Sequence, residues 1–270
     1  MEQIAKLLVI AGSDSGGGAG IQADIKTASA LGVYAATALT AITAQNTRGV
    51  RAVEMLSPGI VGAQISAVLE DIGIGAVKIG MLGDAGIVDA VADALAGFDG
   101  PVVLDPVMVA KSGDALLADE AVAAVAERLL PMSRLLTPNL PEAARLLGRK
   151  VATTPEEVRA QGAALRAMGA GAVLMKGGHA EGPVCRDVLV TGDGGAECEA
   201  VFEAPRLETR NTHGTGCSLS SAVAAELAKG ATLVDSVGRA HGWLHGAIAA
   251  ADGLGVGHGQ GPVHHFHEVW

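Results

Sequence analysis

The stretch Asn211–Gly230, NTHGTGCSLSSAVAAELAKG, runs from a glycine-broken polar turn into an alanine-rich helical segment, with Cys217 at the junction. The first backbone N–H groups of a helix lack internal partners, and the helix dipole there favours negative charge. Gly214 and Gly216 allow the backbone close to an oxyanion, so Gly214, Thr215 and Gly216 read as an anion hole for a phosphoryl group in transfer. The same field lowers a cysteine pKa, which predicts Cys217 near its thiolate form at neutral pH, as a proton acceptor or a nucleophile. A glycine-rich cap over a small buried thiol fits the same residues.

Four further motifs carry usable chemistry. Gly12–Gly20, GSDSGGGAG, contains Gly18-x-Gly20-x-x-Ala23, a permissive dinucleotide fingerprint. That fingerprint wants an acid about 20 residues on. The region there is Thr40–Asn46, TAITAQN, without a carboxylate, so the glycines read as the wall of a small-molecule site. No GK[ST] occurs, which excludes a Walker loop. Asp105, in DPVMVAKSG, stands where it could face a metal–nucleotide or cap a turn. Asn139 and Glu142, in TPNLPE, are three apart at a helix start. They suit either Mg²⁺ held partly through water or an N-cap with a first-turn carboxylate. Lys176, in MKGGH, is a strand-end lysine able to reach phosphate. His264-His265-x-His267 has neither a cysteine nor a defined carboxylate partner, which weakens a metal reading. Cys185 and Cys198 read as packing residues of a hairpin.

These motifs need strand ends to hold them. Strands are expected at Lys6–Ala11, Val33–Ala44, Ala76–Met81, Val102–Asp105, Arg134–Thr137 and Ala172–Met175. A hairpin is expected from Val184–Val190 and Glu197–Ala204. Helices are expected at Gly20–Leu31, Pro58–Ile72, Ala85–Ala96, Ala115–Leu130, Pro141–Leu147, Pro155–Met168, after Cys217, and at Leu233–Ala251. Alternating strands and helices imply an α/β fold with a mostly parallel sheet covered on both faces, and ligands at the carboxyl ends of its strands. The polar motifs follow strands and therefore share one rim.

The 270 residues suit one domain, residues 1–270. Aromatics make up 2%, so the core is expected from Ala, Val, Leu and Ile. The net charge of −10 disfavours nucleic acid and anionic membranes as partners. Three cysteines, an odd and widely spaced set, fit a reducing compartment. The N-terminus shows no secretory signal and no apolar run is long enough to span a bilayer, so a cytoplasmic location is expected.

In order along the chain, AGSDSGGGAGIQADIKT, TAQNT, KIGML, DPVMVAKSGD, LLTPNLPEAARLL, MKGGH and NTHGTGC closely resemble the hydroxymethylpyrimidine/phosphomethylpyrimidine kinases of thiamine biosynthesis, within the ribokinase-like superfamily. The resemblance runs down to GPVHHFH. It implies that ATP and Mg²⁺ serve to phosphorylate 4-amino-5-hydroxymethyl-2-methylpyrimidine, and then its monophosphate to the diphosphate. It implies a homodimer, Cys217 in place of an aspartate base, and Gln45 on the pyrimidine edge. Gly12, Ala19, Asp24, Met81 and Val107 would wall the pocket. Asp105, Asn139, Glu142 and Lys176 would serve Mg-ATP. The chain departs from the family pattern at Arg239–Trp243, RAHGW, where His241 stands in a lysine's place. The competing readings are a pyridoxal kinase of the same superfamily and a non-catalytic pyrimidine-binding protein.

Overall fold

The computed structural model describes residues 4–108, 118–178, 182–193 and 196–270. Its elements run β1 (Lys6–Ala11), α1 (Gly20–Ala30), β2 (Tyr34–Leu39), β3 (Ala41–Asn46), β4 (Gly49–Met55), α2 (Pro58–Asp71), β5 (Ala76–Ile79), α3 (Ala85–Ala94) and β6 (Val102–Leu104). Then follow α4 (Asp119–Ala124), β7 (Leu135–Leu136), α5 (Leu140–Leu147), α6 (Pro155–Ala167), β8 (Val173–Met175), β9 (Val184–Asp193), β10 (Ala196–Pro205), α7 (Thr215–Ala228) and α8 (Leu233–Ala249).

Among the described residues, eight strands form one sheet in the order β10-β9-β8-β7-β6-β5-β1-β2. From β2 to β8 every pairing is parallel, and the β9–β10 hairpin adds antiparallel to β8. The fold is therefore α/β, with a mainly parallel sheet and helices on both faces. The chain winds from β1 out to β2, then returns to pair β5 on the other side of β1. Such a reversal opens a crevice at the carboxyl ends of the strands.

The short strands are nearly pure aliphatic runs because both of their faces are covered. On one face Leu8, Ile10, Val77, Ile79 and Leu104 meet Val61 and Ile65 of α2, Val88 and Val91 of α3, and Leu140 of α5. On the other, Leu7, Val9, Val103 and Leu174 meet Ile21 of α1, Leu219 and Val223 of α7, and Val237 and Trp243 of α8.

Two expectations change. The region 33–44 is not one strand. It breaks at Thr40, whose hydroxyl donates to the Met81 carbonyl at 2.7 Å, and β3 leaves the main sheet to pair with β4 in a two-stranded sheet of its own. The helix expected from Ala115 begins, within the described residues, at Asp119. It widens into a π turn over Val125–Leu129 and tightens to 3₁₀ over Leu130–Met132, where Pro131 cannot continue the α ladder. The loop carrying Lys111 and Gly113, His179, and the hairpin turn Gly194-Gly195 lie outside the described residues.

Candidate active site

The carboxyl ends of β1, β5, β6, β7 and β8 and the start of α7 surround a cavity of about 810 Å³. It is lined by Gly12, Ala19, Gln45, Met81 and Val107, by Asp105, Asn139, Glu142 and Lys176, and by Gly214, Thr215, Gly216 and Cys217. These residues come from opposite ends of the chain and meet because most of them follow a strand of the same rim; Gln45 comes instead from β3, outside the main sheet.

Asp24 is the exception. It was expected to wall the pocket, but it is completely buried, outside the lining, and its carboxylate is bound by Lys78. Its place on α1 explains this: Ile21, Ala23, Asp24, Thr27 and Ala28 form the face turned into the protein.

At the β1 end, Gln45 is held by its backbone, whose N–H donates to the Ser15 hydroxyl at 2.8 Å. The Thr43 hydroxyl donates to the Ser13 carbonyl at 2.8 Å and stands 3.3 Å from the Gln45 amide oxygen. His213 brings Nε2 to 2.9 Å from Asp14 Oδ2. A carboxylate only accepts, so that nitrogen carries the proton. The Gln45 amide nitrogen, 3.3 Å from the same atom, then has no acceptor there. Asp14 also accepts from the N–H groups of Gly16, Gly18 and Ala19, which shapes the glycine loop. Burial works against its charge, yet His213 and these amides hold its carboxyl below the usual range. Reading along the chain missed the Asp14–His213 pair, because its members are 199 residues apart.

In the middle, Gly214 takes φ +78° as the N-cap of α7, and no side chain caps this helix. A Cβ there would run into the Gly18 carbonyl, so glycine is required on both counts. Thr215, Gly216 and Cys217 of the first turn line the cavity, and among the described residues no side chain caps them; the Thr215 N–H stands 3.4 Å from the Thr212 carbonyl. Across from them Lys176 donates to Asp105 Oδ1 at 2.8 Å, and Asp105 also accepts from Thr137 (3.1 Å) and Ser220 (3.2 Å). Burial opposes the Asp105 charge, but Lys176 and Lys78 together hold its pKa below the ordinary value. Burial likewise opposes the Lys176 ammonium, and Asp105 and Glu142 more than restore it.

Cys217 corrects the sequence reading. Its thiol is pushed up to about 11, above all by burial, with Asp24 and Asp105 adding to the effect against the pull of Lys78. The helix terminus does not win: the free enzyme holds a protonated thiol at neutral pH.

Asn139 and Glu142 form a capping box on α5. Asn139 Oδ1 accepts from the Glu142 N–H, and Glu142 Oε2 from the Asn139 N–H, each at 2.8 Å. Burial, with Asp105 nearby, pushes Glu142 up to about 7. Among the described residues no cluster of three His, Cys, Asp or Glu is gathered for a metal. The C-terminal histidines pack instead: His265 Nε2 faces the Ser218 hydroxyl at 3.0 Å, His264 lies against Trp270 and His267 against Trp243.

At the far end the lining includes Asp187 of β9, five strands from β1, Arg206 and Leu207 just after β10, and His241, Leu244 and His245 of α8. Cys185 lines this end too, rather than only packing the hairpin. The cavity therefore runs from the β1 end to the β9–β10 end of the rim, with the start of α7 among its lining.

The sequence model of phosphomethylpyrimidine kinase matches residues 14–264. The chain belongs to the phosphomethylpyrimidine kinase family. The hydroxymethylpyrimidine/phosphomethylpyrimidine kinase of Rhizobium meliloti is 56% identical over 263 residues, covering 97% of each chain. That of Escherichia coli is 53% identical over 264 residues, covering 97% of this chain and 98% of its own. A crystal structure of Bacillus subtilis pyridoxal kinase in complex with ADP superposes with a TM-score of 0.88 at 36% identity, over 97% of this chain and 98% of that one. Membership makes the chain a phosphotransferase: a kinase of hydroxymethylpyrimidine and its monophosphate in thiamine biosynthesis, using ATP. The reading as a non-catalytic binding protein is thereby set aside. Among the described residues no helix is long and apolar enough to cross a membrane.

Proposed function

We propose that the pyrimidine lies at the β1 end, against Gly12, Ala19, Met81 and Val107, with the Gln45 amide on its amino and ring-nitrogen edge. ATP lies at the other end, and its terminal phosphoryl group faces the N–H groups of Gly214, Thr215 and Gly216. The observation that carries this reading is the uncapped start of α7 between two halves of one cavity. Lys176 neutralises phosphate charge. Cys217 takes the proton of the hydroxymethyl oxygen as that oxygen attacks phosphorus.

Asn139 and Glu142 fit Mg²⁺: a half-titrated buried carboxyl beside the ionised Asp105 is a donor set that a divalent cation relieves. Bound there, the ion would neutralise nucleotide phosphates. We also propose a homodimer. Ile42, Ala44, Ala52 and Glu54 on one face of the β3–β4 sheet are exposed, and a two-stranded sheet is marginal without cover. Sedimentation would then return twice the monomer mass.

The two phosphorylations test the base. A thiol at about 11 is thiolate in only about one molecule in ten thousand at pH 7, rising about tenfold per pH unit. The first step should therefore accelerate with pH. The second, whose phosphate nucleophile is already ionised, should not. Cys217→Ala should cost the first step about 10²-fold and the second far less. Equal losses, measured by phosphorus NMR of both products, would remove Cys217 from the proton transfer.

A further inference from the structure

Lys78 lies inside β5, an otherwise apolar strand, and is completely buried. Its ammonium donates to both oxygens of Asp24 on α1, each at 2.9 Å, and Asp24 is equally buried. Asp24 Oδ1 accepts a further hydrogen bond, at 2.7 Å, from the Ser221 hydroxyl on α7. The three groups join β5 to α1 and α7. Ser221 is four residues beyond Cys217, hence one helical turn behind it. None of the three lines the cavity. After Asp24, the next titratable groups that act on Lys78 are Cys217 and Asp105.

Stability gives a poor account of such a pair. Replacing a buried ion pair with apolar residues of similar volume is often neutral or stabilising. Val77 and Ile79, on either side of Lys78, show that aliphatic residues pack into this strand.

We propose that the Asp24–Lys78–Ser221 network positions the reacting end of α7: it seats the first two turns of the helix against β5 and fixes a positive charge behind the Cys217 sulfur. Negative charge comes to that end twice: on the sulfur when the resting thiol ionises to become the proton acceptor, and on the migrating phosphoryl group in the transition state. A cation tied by two hydrogen bonds cannot swing out to meet phosphate, so Lys78 acts as a preorganised charge that costs no rearrangement during the reaction. Lys176 instead donates to Asp105 at the cavity wall. The site thus has one cation held behind the helix and one in the cavity before it.

The inference rests on Cys217 as the proton acceptor, and its test separates the two. In the full chain, Asp24→Leu/Lys78→Met removes both charges together. It should fold with a melting temperature near the parent's. The kcat of the first phosphorylation should fall about tenfold or more with both KM values within about twofold. Alkylation of Cys217 by iodoacetamide, followed on its own peptide by mass spectrometry at about pH 9, should slow several-fold. Ser221→Ala, which removes only one hydroxyl, should lower kcat about threefold with KM unchanged, and it decides the matter if the double variant does not fold. Parental kcat and parental alkylation in either folded variant would reduce the network to packing. Alkylation reports the field at the sulfur whether or not that sulfur is the base. A shifted alkylation rate beside an indifferent Cys217→Ala would therefore count against the base and not against the network.

Discussion

Two helices, α5 and α7, bring their N-termini to the same cavity and treat their unpaired backbone N–H groups in opposite ways. In α5 the donors are consumed locally. Asn139 and Glu142 exchange hydrogen bonds with each other's backbone, and Pro141 has no N–H to satisfy. In α7 the cap is Gly214, which has no side chain to offer. Acceptor oxygens therefore sit at one helix start and backbone donors without a side-chain cap at the other, although both ends carry the same dipole. A helix N-terminus binds anions only where its own sequence leaves it uncapped.

Gly216→Ala should break the α7 side of this contrast with the largest effect. A Cβ at this position would stand 3.4 Å from Lys176 Nζ and 3.7 Å from Asp105 Oδ2, which is ordinary contact. Alanine also favours the helix by up to about 1 kcal/mol. The melting temperature should hold or rise. A phosphoryl group drawn to those amides would meet the methyl group, so kcat/KM for ATP should fall about 10²-fold. Full activity in this variant would mean that phosphate does not approach there. Asn139→Ala tests the α5 side. Loss of the cap costs about 1 kcal/mol, and the Mg²⁺ concentration for half-maximal rate should rise about tenfold. A melting temperature that drops without a change in Mg²⁺ requirement would make α5 a capped helix and nothing more.

The Glu142 carboxyl sharpens the comparison through pH. Its folded pKa of about 7 lies above the ordinary value of 4.5. The folded state therefore binds its proton more readily than the unfolded one. The stability this contributes is present below about 4.5 and is lost as pH rises through about 7. A cation at the same oxygens competes with the proton, so Mg²⁺ affinity should climb with pH up to about 7 and level off. Glu142→Gln should erase that step and weaken Mg²⁺ about tenfold above it. Isothermal titration between about pH 6 and 8.5 reads both. A pH-independent affinity in the parent enzyme would take Glu142 out of the metal site.

The legible parts of the molecule were those whose physics is local. Runs such as Leu7–Ala11 are wholly apolar and are followed by glycine, so their strands and the polar motifs behind them could be placed on one rim. The capping box could be written from Asn139 and Glu142 alone. What failed depended on partners far away. Thr40 ends β2 by bonding to Met81, and nothing in VYAATALTAITA marks that break. Asp24 shares a helix with exposed residues, and only Lys78, 54 residues on, decides that it faces inward. A signal for that pair did exist: a lone lysine within AVKI requires a buried carboxylate. Cys217 was misread in its protonation because the helix terminus is visible in sequence, whereas burial and the carboxylates of Asp24 and Asp105 are not.

The smallest effect lies in how α7 is held. Ser218, the residue after Cys217, brings its hydroxyl to 3.0 Å from His265 Nε2. Burial lowers this imidazole to about 4, with Lys26 and His264 contributing, so it is neutral and its Nε2 can accept the serine proton. The sign is opposite to that of Glu142. Below its ordinary value of 6.5 the unfolded chain takes up a proton that the folded one refuses. The contribution of His265 is complete above about 6.5 and is lost as pH falls towards about 4. Acidification over that window therefore burdens α7 while it relieves the buried carboxyl of α5, and the two partly cancel in the parent protein. His265→Asn removes one of the opposing terms. It should begin a few degrees less stable at neutral pH, having lost the serine's acceptor geometry, and then lose less stability than the parent as pH falls from about 6.5 to 5. Calorimetry on the two proteins, without Mg²⁺, measures the difference. Parallel curves would mean that the seat of α7 does not depend on keeping this imidazole neutral, and that its anchorage lies with Ser220 and Ser221 instead.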